Sequence, residues 1–430
     1  MNALSKFFKV EERGSTIKSE IIGGVTTFLT MSYVIFVNPM ILSEAGMDKG
    51  ALISVTVISA VIGTLLSAFI ANAPFALAPG MGLNAFFTYS LVMGRGIPWE
   101  TALGVVFLSG FVFLVLAFGG IRERIAHAIP LCLKVAVNGG IGLFIAFIGL
   151  KSLGLVQPNP ATIVSLGKFT PQVLIGLVGL FVALTLKTKK IRGGLLLGMT
   201  VSTIIGMMTG NIVLPDQIIS LPPSIAPIAF KLDVLSAFKF SLIGPIFSFM
   251  FVDLFDSLGT LISCSKAVGL TDKHGKVKGL GKMLYADVLA TIIGAVLGTS
   301  TVTTFLESAS GVAAGARTGL ASVVTALLFA LALFFTPVIA VVPAFVTAPA
   351  LIIVGVYMFK GIYELDITDF RTLFPAFITI IMMPLTYSIS SGMSLGFLSY
   401  IIIHILLGDF KKINFTLCVI GALSLLSLLV

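Results

Sequence analysis

The chain is poor in charged residues. Only 10% of its 430 residues are Asp, Glu, Lys or Arg, whereas soluble domains carry about 25%. No charged side chain occurs between Lys49 and Arg95, or between Arg317 and Lys360. Such long uncharged stretches cannot cover a water-exposed surface, but they are typical of paired membrane-spanning helices. The sequence therefore predicts a polytopic membrane protein rather than a soluble one.

Cysteine and histidine are equally scarce, with three residues of each type. Both are too scattered for a disulfide framework or a metal cluster. The motifs H-E-x-x-H and G-x-S-x-G are missing as well. We therefore expect that the protein holds no cofactor and is not an enzyme. The net charge of +9 does not indicate binding to nucleic acid, because the positive residues of a membrane protein collect at the membrane edges.

Apolar segments recur along the whole chain. A spanning helix needs about 20 mostly apolar residues, and two sets of seven candidates can be assigned around a proline-rich connection at 211–237. The first set covers 20–40, 51–72, 76–93, 101–119, 132–150, 171–186 and 194–210. The second set covers 238–263, 283–298, 301–315, 319–337, 338–359, 372–389 and 393–408. An apolar tail at 413–430 is barely long enough to span, and it either crosses the membrane or lies along the interface.

Lysine and arginine are concentrated in a few connections, which predicts the orientation. The three clusters are Arg122, Arg124 and Lys134; Lys187, Lys189, Lys190 and Arg192; and Lys266, Lys273, Lys276, Lys278 and Lys282. Positive residues in short loops stay on the cytoplasmic side. Fourteen spans that begin with a cytoplasmic N-terminus, residues 1–19, put every cluster on that side and the 211–237 connection outside. We expect a multi-pass protein of the plasma membrane, in contact with the lipid bilayer.

The third and tenth candidates are poor helices. The third contains Pro74, Pro79, Gly80 and Gly82, which a continuous helix cannot accommodate. The tenth begins with Thr-Val-Thr-Thr-Phe at 301–305, a run that favours a strand. Each segment therefore predicts a short strand that leads into a half-helix. Paired interruptions point to a transporter binding site, because broken backbone at membrane depth persists only beside a cavity or ligand. The alternative is a pair of kinks between packed helices.

Acidic residues lie inside the apolar segments. Asp253 and Asp256, on the eighth candidate, are three apart and share a helix face, and Glu307 lies in the interrupted tenth candidate. An Asp at mid-membrane costs about 2.5–3.5 kcal/mol, which makes a functional role the default interpretation. These acids could bind protons or a nitrogen-rich heterocycle; the alternative is a structural acid bonded to Ser, Thr or backbone. Little positive charge is predicted near them, since Arg317 is expected at the cytoplasmic edge, and Asp287 is interpreted as interfacial.

Three other side chains are candidates for contact with a planar ring. Asn84 follows a Pro-Gly-Met-Gly turn, and its amide offers a donor and an acceptor to the edge of a base. Capping of the half-helix is the equal alternative for Asn84. Phe75 and Phe305 could stack on the ring, although core packing is the plainer interpretation in a chain with 35 phenylalanines.

Five stretches together carry a family resemblance. They are Ala-Pro-Gly-Met-Gly-Leu-Asn-Ala at 78–85, Ile-Gly-Leu-Phe-Ile-Ala-Phe-Ile-Gly at 141–149, Asp-Leu-Phe-Asp-Ser-Leu-Gly-Thr at 253–260, Thr-Thr-Phe-Leu-Glu-Ser at 303–308 and Met-Pro-Leu-Thr-Tyr-Ser at 383–388. With these motifs the chain resembles the nucleobase/ascorbate transporter (xanthine/uracil permease) family. Within that family it resembles the azaguanine-permease-like branch of adenine, guanine and hypoxanthine permeases.

The resemblance implies a fold and a division into domains. The fold is an all-α polytopic membrane protein with 14 transmembrane segments in two inverted seven-span repeats, and with short β-strands in spans 3 and 10. Spans 1–4 (20–120) and 8–11 (238–337) would form a core domain. Spans 5–7 (121–210) and 12–14 (338–408) would form a gate domain. The implied extracytoplasmic connection is 211–237, and 409–430 is the C-terminal apolar tail.

The resemblance also implies roles for particular residues. The acid of span 8 falls on Asp256 and that of span 10 on Glu307, both as substrate-binding and proton-coupling groups. The other implied substrate-binding residues are Asn84, Phe75, Phe305, Leu306 and Ser308, and the supporting residues are Asp253, Thr260 and Thr304. Relatives of the uracil type often carry an ionisable residue where Thr260 stands, so either Asp256 or Glu307 is left as the proton carrier.

The resulting hypothesis is a proton-coupled permease for a purine nucleobase (adenine, guanine or hypoxanthine) that works by movement of the core against the gate. An anion transporter of the same architecture is one alternative. A transporter of another nucleobase, such as uracil or xanthine, is the other. The choice among purines and the existence of a homodimer stay open.

Overall fold

The computed structural model describes residues 2–117, 128–215, 217–271 and 277–429. In these ranges ten helices are long and apolar enough to cross a membrane, and four shorter apolar helices accompany them. The predicted helical membrane architecture is therefore confirmed, whereas the count of fourteen crossings and the inverted repeat stay predictions. Arg122, Arg124, Lys273 and Lys276 of the predicted cytoplasmic clusters lie outside the described residues.

The helices of the first half are α1 to α9. Their bounds are Asn2–Phe8 (α1), Ile17–Met31 (α2), Val34–Ser43 (α3), Lys49–Leu66 (α4), Met81–Ala85 (α5), Trp99–Ala117 (α6), Leu131–Leu153 (α7), Pro171–Thr188 (α8) and Gly194–Met208 (α9). Two π-helical segments, Ser67–Ala71 and Phe86–Met93, extend α4 and α5.

The helices of the second half are α10 to α19. Their bounds are Val234–Ala237 (α10), Ile243–Val268 (α11), Leu280–Leu297 (α12), Ser308–Ala313 (α13), Gly319–Ala332 (α14), Thr336–Ala340 (α15), Ala344–Phe359 (α16), Phe370–Thr386 (α17), Ile389–Leu406 (α18) and Phe415–Leu429 (α19). The strands are Leu77–Pro79 (β1), Val156–Asn159 (β2), Ile163–Leu166 (β3) and Val302–Thr304 (β4).

Helix boundaries depart from the predicted spans by several residues in places, and two of these departures concern how spans are divided. The first predicted span, 20–40, consists of α2 and α3, which are separated by a turn at Ser32 and Tyr33. The division expected near residue 337, between the eleventh and twelfth spans, lies a few residues later, because the helical stretch from Gly319 continues to Ala340. The break comes at Pro343, since proline has no N–H to continue a helix and stands just before α16.

The strands predicted in the two interrupted segments are confirmed. β1 and β4 pair in antiparallel fashion, with Leu77 opposite Thr304 and Pro79 opposite Val302. Each strand leads into a short helix, α5 after β1 and α13 after β4. The two interruptions therefore meet each other instead of lying apart as separate kinks.

Each strand is fixed by a threonine of a neighbouring helix. Thr64 Oγ1 on α4 accepts a hydrogen bond from Leu77 N–H and donates one to Leu77 C=O, both at 3.1 Å. Thr291 Oγ1 on α12 does the same for Val302, at 3.2 Å and 3.0 Å. Leu77 and Val302 are the first residues of their strands. The two halves of the chain thus satisfy the strand backbone in the same way.

Hydroxyl groups also satisfy the backbone that precedes β1. Ser322 Oγ donates hydrogen bonds to the carbonyl oxygens of Ala73 and Phe75, at 2.8 Å and 3.1 Å. Ser308 Oγ accepts one of 3.0 Å from Ala76 N–H. Buried backbone groups without partners are costly, and these side chains supply the partners that a helix would have provided.

Two glycines let the helices approach the strands closely. A Cβ atom at Gly63 would lie 3.0 Å from Leu77 Cβ and 3.1 Å from Val302 Cγ1. One at Gly294 would lie 2.6 Å from Val302 Cγ2. The distance at Gly294 is too short for a real Cβ contact, and those at Gly63 would require the neighbouring side chains to shift by a few tenths of an ångström. The two glycines therefore favour the close packing of α4 and α12 on the strand pair.

The tail helix α19 packs against α18 and α11. Leu417 and Ile420 are buried in this contact. Three serine hydroxyls connect the helices, with Ser390 of α18 at 2.9 Å from Ser427 of α19 and at 3.0 Å from Ser248 of α11. The tail therefore has a packed position against the helices.

We expect Thr64→Val and Thr291→Val each to lower the free energy of unfolding by about 1–3 kcal/mol. Valine keeps the shape of threonine, but it leaves a buried N–H and C=O of the strand without partners. Thermal unfolding of the purified protein in detergent measures the effect. The control is Thr200→Val on the exposed face of α9, where the lost hydroxyl only bonds back to Leu196 O. Strand variants as stable as this control would contradict the role of the threonines.

Candidate functional site

The two acids that the sequence singled out lie in the same region, beside the crossing of β1 and β4. Asp256 is on α11, and Glu307 immediately precedes α13. Both side chains are half-buried, and the two helices pack against each other. The Thr303 hydroxyl of β4 donates a hydrogen bond to Asp256, and the Tyr33 hydroxyl donates one of 2.8 Å to Glu307 Oε1. The fold therefore brings both carboxylates into one polar region.

One side of this region is open. Leu306 is 48% exposed, whereas Phe305 before it is buried. A Cβ atom at Gly259 would meet nothing within 4 Å, and Thr260 is half-buried. Residues three or four apart share a helix face, so this face of α11 continues from Asp256 into open space. The exposed side of the region is thus formed by Leu306 and by the face of α11 around Gly259.

Asp287 does not lie at the membrane interface, where the sequence predicted it. It is completely buried rather than interfacial. Its Oδ1 accepts hydrogen bonds from Thr304 N–H at 3.0 Å and from the Thr304 hydroxyl at 3.1 Å, and its Oδ2 accepts one from the Ser257 hydroxyl. Asp287 on α12 thus connects β4 to the residue that follows Asp256. One feature of the sequence could have indicated this buried position of Asp287. Asp287 precedes Thr291 by four residues, so both side chains lie on the same face of α12.

Asn84 is enclosed in a network of polar side chains. Its Nδ2 donates a hydrogen bond to Asn38 Oδ1. Asn38 Nδ2 in turn donates to the hydroxyl of Thr56, at 2.6 Å, and to that of Thr299, at 3.3 Å. The alternative of an Asn84 cap is wrong, because α5 already begins at Met81 after Gly80. The network joins α3, α4 and α5 to the segment before β4. A contact between Asn84 and a substrate stays a prediction.

The two candidate aromatic residues are both buried. Phe75 lies in an apolar cluster that includes Phe113, Met250 and Leu254. Phe305 belongs to the main hydrophobic core. In this arrangement both rings pack in the protein core, as the alternative interpretation expects. Stacking of either ring on a ligand stays a prediction.

The remaining predicted residues surround the acids. Asp253 is buried one turn before Asp256. Thr304 bonds to Asp287 through its backbone and its side chain. Ser308 is completely buried and bonds to the backbone that precedes β1. Thr304 and Ser308 therefore hold the strand crossing in the described structure.

Two residues near the acids were not predicted as site residues. They are Tyr33, which bonds to Glu307, and Asp287, which bonds to the residue after Asp256. The expectation of little positive charge near the acids stays a prediction. Within the described ranges, no group of three or more His, Cys, Asp or Glu side chains could hold a metal ion.

We expect Asp287→Ala to lower the free energy of unfolding by about 2–3 kcal/mol, because Thr304 and Ser257 lose a buried acceptor. Asp287→Asn keeps one acceptor oxygen and should be milder. Thermal unfolding in detergent separates the variants, with exposed Glu364→Ala as the control. Equal stability of Asp287→Ala and the control would contradict this role.

Solved structures with a similar fold are transporter domains. The transmembrane domain of a cyanobacterium bicarbonate transporter, BicA, matches with a TM-score of 0.64 at 17% identity, over 90% of this chain and 96% of that one. SLC26A9 matches with a TM-score of 0.62 at 13% identity, over 91% of this chain and 66% of that one. Identities this low indicate a shared fold alone.

Sequence relatives are much closer. A putative permease of Methanocaldococcus jannaschii is 46% identical over 98% of this chain and 97% of its own length. The Escherichia coli adenine permease AdeP is 40% identical over 99% of this chain and 96% of its own length. The Bacillus subtilis guanine/hypoxanthine permease PbuG is 43% identical over 96% of both chains.

A family model agrees with these relatives. The model Xan_ur_permease, described as a permease family, matches residues 18–422. The match covers the crossing strands, both acids and all five motifs on which the resemblance was based, so that the resemblance is confirmed. The chain is a multi-pass membrane protein that belongs to this permease family.

Proposed function

We propose that this protein is a proton-coupled permease that imports a purine nucleobase. The observation that carries the proposal is the meeting of Asp256 and Glu307 beside the crossing strands. A purine is a flat, uncharged ring with several N–H donors, and carboxylates are strong acceptors for such donors. The two acids can therefore bind the base from two sides.

The relatives support the purine class. Their names identify an adenine permease and a guanine/hypoxanthine permease. Adenine carries an amino donor at position 6, whereas guanine carries an oxygen acceptor there. The two kinds of substrate share the ring system and differ at that edge. We propose that the acids recognise N–H groups of the purine, and that the group facing position 6 selects the base.

Other predicted site residues are assigned to contact or to support. Leu306 adjoins the open side, and we assign its backbone a contact with the base. We also assign a stacking contact to Phe305, which would have to turn out of the core to reach the base. Asn84, Phe75 and Ser308 are buried among protein partners. We assign these three residues the role of holding the strands in position.

The coupling ion is proposed to be a proton carried by Asp256 or Glu307. An ionised carboxylate that moves through a low-dielectric region costs several kcal/mol, and protonation removes that cost. One carboxylate takes up a proton outside and releases it inside. Movement of the loaded core, 20–120 and 238–337, against the gate, 121–210 and 338–408, then exposes the site to the other side.

The proposed movement uses two inverted repeats with a cytoplasmic N-terminus in the plasma membrane. Support for the repeats comes from Thr64 and Thr291, which bind the first residues of β1 and β4 through the same pair of hydrogen bonds. Thr64 lies in the second helix of the first predicted set and Thr291 in the second helix of the second. An anion substrate is disfavoured because two acids lie at the site.

Uptake of labelled adenine, guanine and hypoxanthine into proteoliposomes tests the proposal. We expect at least one purine to accumulate when the outside is more acidic, because one proton per purine can support up to about tenfold accumulation per pH unit. Uracil, xanthine and sulfate serve as competitors. Purine uptake that does not depend on the pH gradient would contradict coupling to protons. Competition by sulfate alone would contradict a purine substrate.

We expect Asp256→Asn and Glu307→Gln each to lower purine uptake by about 10- to 100-fold, as the loss of one hydrogen bond to a charged acceptor predicts. Each change keeps the size of the side chain, but it removes a charge that can bind a proton. Glu364→Gln, a matched change at an exposed position, should transport normally. Normal transport by both site variants would contradict the roles of Asp256 and Glu307 in binding the purine and the proton.

A further inference from the structure

Two of the five stretches that carry the family resemblance have no part in the proposed site. They are 141–149, within α7, and 383–388, at the end of α17. In the structure these stretches meet each other. The centre of the Tyr387 ring lies 5.7 Å from that of Phe144 and 5.5 Å from that of Phe147, and both pairs are edge to face. Tyr387 is therefore fixed against α7, within the proposed gate.

The backbone of Tyr387 has a conformation that few residues adopt. Tyr387 follows α17 with φ 52° and ψ 29°, in the left-handed region that residues other than glycine rarely enter. Its C=O accepts a hydrogen bond of 2.8 Å from the Ser90 hydroxyl. Ser90 lies on the π-helical segment Phe86–Met93, which belongs to the proposed core. This hydrogen bond therefore joins the gate to the core.

A lysine makes a second link between the same two domains. Lys151 is in the last turn of α7, and its Nζ lies 5.6 Å from the centre of the Tyr89 ring and 5.5 Å from that of the Tyr387 ring. An aromatic face attracts a cation at such distances. The two rings also contact each other edge to face, with their centres 6.0 Å apart. One ammonium group thus lies against a ring of the core and a ring of the gate.

These four residues, Tyr89, Ser90, Lys151 and Tyr387, are called the outer latch below. The proposed orientation places them on the outer side of the membrane, because α7 begins near Lys134 of a predicted cytoplasmic cluster and ends with Lys151. The sequence analysis gave none of the four a role. Each belongs to a helix end or a π-helical segment, and their contacts come from distant parts of the chain.

Core and gate also touch below the outer latch. A Cβ atom at Gly82 on α5 would lie 2.6 Å from Ile141 Cγ2 and 3.7 Å from Ile145 Cδ1 on α7. Ile145 is completely buried, and it precedes Lys151 by six residues, which places it about 9 Å deeper along the helix. In this structure Ile145 is therefore covered on the side of the outer latch.

We propose that the outer latch closes the outer side of the carrier and must open before a purine can enter from outside. The inference rests on the proposed function, because it assigns a closing contact to the movement of the core against the gate. One hydrogen bond and one cation on two rings are individually weak, so that they can break and form again in every cycle. The left-handed turn of Tyr387 brings its ring and its carbonyl to the core together.

Reaction of a cysteine at position 145 with a thiol reagent tests the proposal. The Ile145→Cys variant is made with the three native cysteines replaced by alanine, and a charged, membrane-impermeant methanethiosulfonate is added to intact bacterial cells that express the full chain. We expect Lys151→Met and Ser90→Ala each to raise the rate of modification about two- to fivefold, as the loss of one cation–π contact or one hydrogen bond predicts.

Matched variants separate the outer latch from general loosening. Lys151→Arg and Tyr387→Phe should react as wild type, because arginine keeps the charge and stacks on rings, and phenylalanine keeps the ring and the backbone carbonyl. Lys168→Met, at an exposed lysine before α8, is the control for Lys151→Met. A protein that retains only Cys264, which is buried in α11, should stay unreactive in every variant.

Uptake kinetics with the native cysteines in place give a second measurement. The apparent affinity for external purine rises with the fraction of carriers open to the outside. Lys151→Met should therefore lower the half-saturating concentration of external adenine, guanine or hypoxanthine about two- to fivefold. Damage to folding would instead lower the maximal rate and leave that concentration unchanged.

Three results would overturn the inference. They are modification of Ile145→Cys at the wild-type rate in both Lys151→Met and Ser90→Ala, an equal rise in the reactivity of Cys264, and an unchanged half-saturating concentration in Lys151→Met. The labelling rates require no purine. A wild-type protein that takes up no purine would remove the proposed function, whereas the labelling rates would still decide whether the outer latch closes that side.

Discussion

The structure depends on one constraint, which is that unpaired backbone must find hydrogen bonds inside an apolar protein. Proline and glycine interrupt the third apolar segment, and a threonine-rich strand interrupts the tenth. Lipid offers no partners to such backbone. Thr64, Thr291 and Ser322 supply them from neighbouring helices, and the strands supply the rest by pairing with each other. Without these partners the interruptions would be unstable at membrane depth.

The same hydrogen bonds determine where the acids lie. Pairing of β1 with β4 fixes the start of α13 and therefore the position of Glu307. Asp287 bonds at once to Thr304 of β4 and to Ser257 of α11, so that it sets the distance between the strand and the helix that carries Asp256. The polar region is thus a product of the strand crossing, and its acids are held by groups that do not face the open side.

Much of this fold could be predicted from the sequence, because hydropathy marks the helices and local residue type marks their interruptions. Asp256 and Glu307 stood out because acids are rare in apolar segments. The partners of Asn84 and Asp287 could not be predicted, since they come from distant parts of the chain. Lys187 was read only as one member of a cluster that indicates orientation. Its contact with Tyr357 depends on how two helices pack, which no local pattern records.

The central claim is that Asp256 and Glu307 form one binding site for an uncharged purine. A structure of the protein determined with adenine, guanine or hypoxanthine bound tests it most directly. We predict that the ring lies beside residues 303–307, with its N–H groups within hydrogen-bond distance of both carboxylates. A purine bound elsewhere, with neither carboxylate in contact with it, would contradict the account.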